Sequence, residues 1–178
     1  ALNYLTGYKE MTIEQLKNEG LYDRNRFVPM PIVIQRVALI TSPGSAAHSD
    51  FMKHLEENEY GYQFYVHLYS SSVQGDGAAA ELRAALARID ARNYDAIVLI
   101  RGGGSKLDLE PFNDLELSRL VAHCPIPVLT GIGHDVDISV LDMIARGPHK
   151  TPTAVADHLV DLFVSYESSM NTFMVGVQ

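Results

Sequence analysis

Cysteine, tryptophan and positive charge are what this chain has least of. A lone cysteine, Cys124, excludes an internal disulfide framework. Lysine and arginine total 14 against 22 aspartates and glutamates, and the resulting net charge of −8 argues against a surface that holds nucleic acid by bulk attraction. Any phosphate recognition has to be local. No apolar run approaches the roughly 20 residues that a membrane span needs. The start shows no basic segment followed by an apolar stretch and a small-residue cleavage site, so the expectation is a reduced, cytoplasmic protein.

What is present is apolar content, 47% of 178 residues, enough for one good core. Strand patterns run from Arg36 to Thr41, Tyr62 to Leu68, Ala96 to Ile100 and Pro127 to Thr130. Helical patterns lie between them, with apolar faces at Ala47, Phe51 and Leu55, at Leu82, Leu86 and Ile89, and at Leu117, Leu120 and Val121. A short further helix passes through Val140, Leu141 and Ile144. This alternation predicts an α/β fold, a four-stranded, mainly parallel Rossmann-like or flavodoxin-like sheet with helices on both faces.

Residues 1–34 read as a helical lead and linker, 35–150 as the α/β core and 151–178 as the start of a long C-terminal helix. In the lead, Thr12 with Gln15 matches a helix cap and Gly20 a helix end, which makes this piece an appendage. Gly147-Pro148-His149-Lys150 reads as a link to Thr151-Pro152, a cap with proline at the first helical position. Beyond it Val155, Leu159, Leu162, Tyr166, Met170, Phe173 and Val177 form a near-heptad seam. Such a stripe predicts a truncated coiled coil or a partner surface, self-association included; packing on the sheet is the alternative for its first two turns.

Chemistry concentrates in two loops. The third strand delivers Arg101-Gly102-Gly103-Gly104-Ser105 and the fourth delivers Gly131-Ile132-Gly133-His134-Asp135-Val136-Asp137. In an open parallel sheet both open onto the crevice beyond the carboxyl ends of the strands. Adjacent glycines let backbone amides approach a phosphate, a following helix N-terminus favours negative charge, and Arg101 adds a fork of donors. His134 is placed for proton transfer near neutral pH. Asp135 and Asp137 can orient it, raise its pKa or hold a cation, while Asp137 also suits an N-cap for a helix starting near Ile138. Asp50 falls at the edge of the first core helix's apolar stripe, facing either the crevice or a local pair with Lys53 or His54. The other histidines show no metal-ligand spacing.

Taken together, the motifs resemble the catalytic domain of the exodeoxyribonuclease VII large subunits. The matching segments are Arg36 to Pro43 with Ala46, Ala47 and Asp50; Gln74-Gly75 with Ala78 to Glu81; and Arg101 to Ser105 with Asp108-Leu109 and Phe112-Asn113. Gly133 to Asp137 and Thr151-Pro152-Thr153-Ala154 complete the ordered set, which covers about residues 13 to 165. The resemblance implies Asp50, Arg101, His134 and Asp137 as catalytic residues, with Ser42, Ser45, Gly102, Gly103, Gly104 and Ser105 around the phosphate and Asp135 behind the histidine. It implies hydrolysis of single-stranded DNA from either end to short oligonucleotides, with no added divalent cation required. If Mg2+ takes part, Asp50 and Asp137 are its ligands. Also implied are an N-terminal OB-fold and a long coiled coil recruiting several small subunits, so the chain is expected to be an excised core. Two positions depart from the family pattern: Ser42-Pro43-Gly44-Ser45 stands where Ser-Pro-Thr-Gly is common, and Asp135 where glutamate often follows the histidine. Two rival readings carry the same motifs, a nucleotide-binding module without hydrolysis and an inert assembly domain.

Overall fold

The computed structural model describes residues 2–102, 108–133 and 137–177, with side chains from residue 7 onward. Its described strands are β1 (Arg36–Thr41), β2 (Tyr65–Ser70), β3 (Ala96–Ile100), β4 (Val128–Gly131) and β5 (Gly147–His149). Every pairing is parallel, in the order β2-β1-β3-β4-β5. This is the flavodoxin-like winding, whose order reverses between β1 and β3 and so opens a crevice beyond their carboxyl ends.

Both faces of the sheet are buried, which is why the central strands read as continuous apolar runs rather than as alternations. Val37, Leu39, Ala96, Val98 and Ile100 pack under α2 (Ala46–Glu56) and α6 (Pro152–Gly176). Ala38, Ile40, Ile97 and Leu99 face the layer formed by α1 (Leu2–Asn18), α3 (Ala78–Ala87), α4 (Leu115–His123) and α5 (Val140–Ile144). The period of two along each strand therefore separates two cores.

The sheet has five described strands where the sequence pattern predicts four. Gly147-Pro148-His149, expected as a link, pairs with Leu129, Thr130 and Gly131. Proline carries no amide hydrogen and would interrupt a central strand, but on an edge nothing is lost. Strand β2 begins three residues later than expected, because Tyr62 and Phe64 pack on Phe163 of α6 instead, Tyr62 stacking at 4.7 Å.

Two helix boundaries also differ. Thr12 is not a cap: α1 starts at Leu2, and the buried Thr12 hydroxyl donates back to the Tyr8 carbonyl at 3.0 Å. Asp137 does not cap α5 either, since Ser139 does, accepting from the Asp142 amide. Gly20, at φ 72°, does lie just past the end of α1.

The N-terminal lead reaches into the core. Leu16 and Leu21 are buried against the α3 to α5 layer, and Asn25 is fully buried. The Asn25 amide donates to the carbonyls of Cys124 and Ile126, and its oxygen accepts from the amides of Val128 and Arg146. All of its side-chain hydrogen-bonding capacity is used to tie the lead to the start of β4 and the approach to β5.

Candidate functional site

Three strand ends meet at the carboxyl edge of the sheet. The Thr41 hydroxyl donates to the Ile100 carbonyl at 3.0 Å, joining β1 to β3. The Arg101 amide donates to the Gly131 carbonyl at 3.0 Å, joining β3 to β4. Arg101 itself is 2% exposed, and two of its guanidinium nitrogens, Nε and Nη1, are buried without a hydrogen-bond partner among the described residues. A buried donor left unmatched costs about 1–3 kcal/mol, more when charged. An arrangement of that cost calls for a functional explanation.

Gly102 lies against the start of α2. A Cβ there would come 3.4 Å from the Ala47 Cβ and 3.6 Å from the Ala47 amide nitrogen, ordinary contact distances. Packing therefore does not demand glycine, and Gly102 sets the end of β3 against the start of α2. The phosphate site expected from the sequence would lie at this junction. Of the serines assigned to it, Ser45 caps α2, its hydroxyl accepting from the His48 amide at 3.2 Å. Ser42 accepts, through its carbonyl, from the Ser45 amide, and Gly44 at φ 69° completes the turn.

On the β4 side the glycines have backbone reasons. A Cβ on Gly131 would stand 2.8 Å from the Thr151 carbonyl oxygen, so this glycine lets α6 start directly over the strand end. Gly133 adopts φ 78°, a left-handed turn. Thr151 caps α6, accepting from the Ala154 amide at 3.1 Å. The N-termini of both α2 and α6 thus lie at the strand-end edge.

Asp50 and Asp137 are both exposed. Asp50 faces a groove of about 760 Å³ between α2 and α6, lined also by Lys53, His54, Tyr60 and Asp157; Arg101 does not line it. His54 pairs with Asp157 at 3.0 Å, not with Asp50. His134, Asp135, Gly103, Gly104 and Ser105 lie outside the described residues. Among the described residues no group of three or more histidine, cysteine or carboxylate side chains is arranged to hold a metal ion.

Sequence reasoning passed over several groups here. Asp142, 3% exposed, accepts from the hydroxyls of Thr130 at 2.7 Å and Ser139 at 2.9 Å, and so ties both ends of the loop that carries Asp137. An aspartate inside the apolar run Val140 to Ile144 was its signal. His48 accepts through Nδ1 from the Gly44 amide at 3.2 Å, which places its proton on Nε2. His149 and His158 approach at 4.9 Å between ring centroids, and their buried Nε2 atoms have no hydrogen-bond partner among the described residues. Burial pushes both pKa values down, and for His149 the neighbouring His158 adds to it.

A family model described as "Exonuclease VII, large subunit" matches residues 21–174. The chain belongs to the exonuclease VII large-subunit family. Among curated relatives, the exodeoxyribonuclease 7 large subunit of Nostoc sp. is 39% identical over 159 residues, 86% of this chain and 38% of that protein. Its counterpart in Xanthomonas oryzae pv. oryzae is 42% identical over 147 residues, 82% of this chain and 33% of that protein. In Xanthomonas campestris pv. campestris the identity is 40% over the same share of this chain and 32% of the relative. The chain therefore spans well under half the length of these relatives. Among the described residues no helix is long and apolar enough to cross a membrane.

Proposed function

We propose that this chain forms the catalytic layer of a nuclease that hydrolyses phosphodiester bonds in single-stranded DNA from both ends, releasing short oligonucleotides. The observation that carries this reading is Arg101: a buried cation with two donors unmatched among the described residues, beside the start of α2, at the switch point of a parallel sheet. Membership of the exonuclease VII large-subunit family supports the reaction class.

Phosphodiester hydrolysis needs charge neutralised on the phosphoryl oxygens, a positioned water and a proton for the leaving oxygen. In this reading the Arg101 guanidinium and the amides at Gly102 to Gly104 take the developing charge. His134 serves as general acid or base. Asp137 orients it or, with Asp50, activates water; the same two carboxylates offer the hard oxygen donors that Mg2+ would use. The chain acts within a longer protein whose further helix recruits a small subunit, with residues 35–150 as its nuclease unit.

Digestion of end-labelled single strands by the large subunit assembled with its small subunit, in chelator and in Mg2+, tests this. Arg101→Ala and His134→Ala should each cut turnover by at least ~100-fold with the fold intact. Arg101→Lys should fail too, because an ammonium cannot reproduce a bidentate phosphate contact. Near-normal turnover in both alanine variants would remove the site.

A further inference from the structure

From the cavity between the N-terminal lead and β5 we infer a nucleotide subsite that holds one unit of the single strand next to the reaction site. The inference rests on the nuclease reading above. The cavity measures about 320 Å³ and is lined by Tyr22 and Arg26 from the lead, Ile138 and Met143 around α5, and His149 and Lys150 at the end of β5. That volume lies at the lower end of the range for small-ligand sites and suits a single nucleotide rather than a duplex.

Continuity with the reaction site comes through the chain itself. Ile138 follows Asp137 directly and leaves a large apolar side chain 51% exposed. Its carbonyl accepts a hydrogen bond from Lys9 of α1. Past Lys150, whose carbonyl lies against Gly133, the chain caps α6, and Thr151 and Val155 cover Gly131. The cavity therefore runs along the outer side of β5 from Tyr22 and Arg26 to Ile138 and Lys150, and its Lys150 end lies toward Arg101, whose carbonyl also faces Gly133.

Charge supplies the second argument. Although the chain carries a net −8, cations gather at this place: Arg26 and Lys150 on the rim, with Lys17 Nζ 4.9 Å and the Arg26 guanidinium 5.6 Å from the Tyr22 ring centroid. Asp23 pairs with Arg26 at 2.7 Å and offsets part of that charge. Ile138, Met143 and Pro148 make an apolar wall, and Asp142, whose carboxylate is held by the Thr130 and Ser139 hydroxyls, lies behind it. A phosphate is drawn to the cationic rim, whereas the flat face of a nucleobase suits the apolar wall. His149, with its pKa lowered, contributes ring surface rather than charge at neutral pH. The arrangement thus orients a nucleotide base inward and phosphate outward.

Two measurements test it. The 178-residue chain, labelled at its methionine and isoleucine methyls, is titrated by NMR with hexathymidylate and, separately, with hexaglutamate. The Met143 and Ile138 methyl signals should shift with the oligonucleotide at millimolar concentration and stay put with the acidic peptide. In the assembled enzyme, Met143→Trp, which fills the cavity, and Lys150→Glu, which reverses its rim, should each raise KM about five- to tenfold while kcat changes less than about twofold. Methyls unmoved by hexathymidylate, or moved equally by hexaglutamate, would overturn the subsite, as would an unchanged KM in both variants. Failure of the nuclease reading looks different: it would show as normal turnover in Arg101→Ala, whatever the methyl signals do.

Discussion

Arg101 opposes stability to function within one side chain. Its Nε and Nη1 are buried without partners among the described residues, and if they wait for substrate an apolar side chain of similar length would remove the penalty of burying them. Arg101→Met should raise the unfolding free energy by about 1–2 kcal/mol in urea titration while abolishing cleavage by the assembly. A loss of stability instead would mean that the guanidinium is matched within the protein and is not waiting for substrate. His149 and His158 make a second prediction at this scale. Burial lowers both pKa values below the ordinary 6.5. Arg146 lowers that of His158 further, and Asp161 opposes the shift. With depressed native values, the stabilising contribution is complete above pH about 6.5 and is lost as pH falls through the native pKa, because the unfolded chain takes up protons first. The Tm should fall from about pH 7 to pH 5, and His149→Phe with His158→Phe should flatten that part of the curve.

At the scale of elements, Asn25 decides how the lead meets the sheet. Its amide closes hydrogen bonds to Cys124, Ile126, Val128 and Arg146, spanning the start of β4 and the approach to β5. Asn25→Ala would strand these backbone groups, several of them buried, and should cost about 3 kcal/mol or more in the same titration. A change below about 1 kcal/mol would show that water replaces the side chain there. Helix α6 divides by burial along one continuous stripe: Val155 and Leu159 are buried, Leu162 packs on the core, and Met170 and Phe173 lie largely in solvent. The helix continues to Gly176. Its N-terminal half belongs to the domain, and the remainder presents an apolar face.

For the whole molecule, that projecting half-helix predicts association. Met170→Lys with Phe173→Lys should lower self-association in sedimentation and leave the Tm of the chain unchanged, since neither residue contacts the cores. Leu162 is a poor choice for this test because its substitution also damages packing on the sheet. Unchanged sedimentation would remove the apolar face as an association surface.

The sequence by itself determined the α/β class, the helix faces of α2 and α3, the Thr151-Pro152 start of α6 and the position of Arg101 at a strand end, because each depends on neighbours within a few residues. Its apolar runs also required a sheet covered on both faces. Only the tertiary structure decided that Gly147-Pro148-His149 is a strand, since proline's tolerance depends on there being no strand beyond it. The same holds for Thr12, whose capping pattern was outweighed by a helix that starts at Leu2, and for Asp50, which the packing of α6 on α2 places in a groove separate from the arginine. That Arg101 is buried, with two donors unmatched among the described residues, depends on elements distant in the chain, and Tyr22, more than a hundred positions from Ile138 and Lys150, shares one cavity with them. Local pattern specifies which elements form; which side chains share a space follows from how those elements pack.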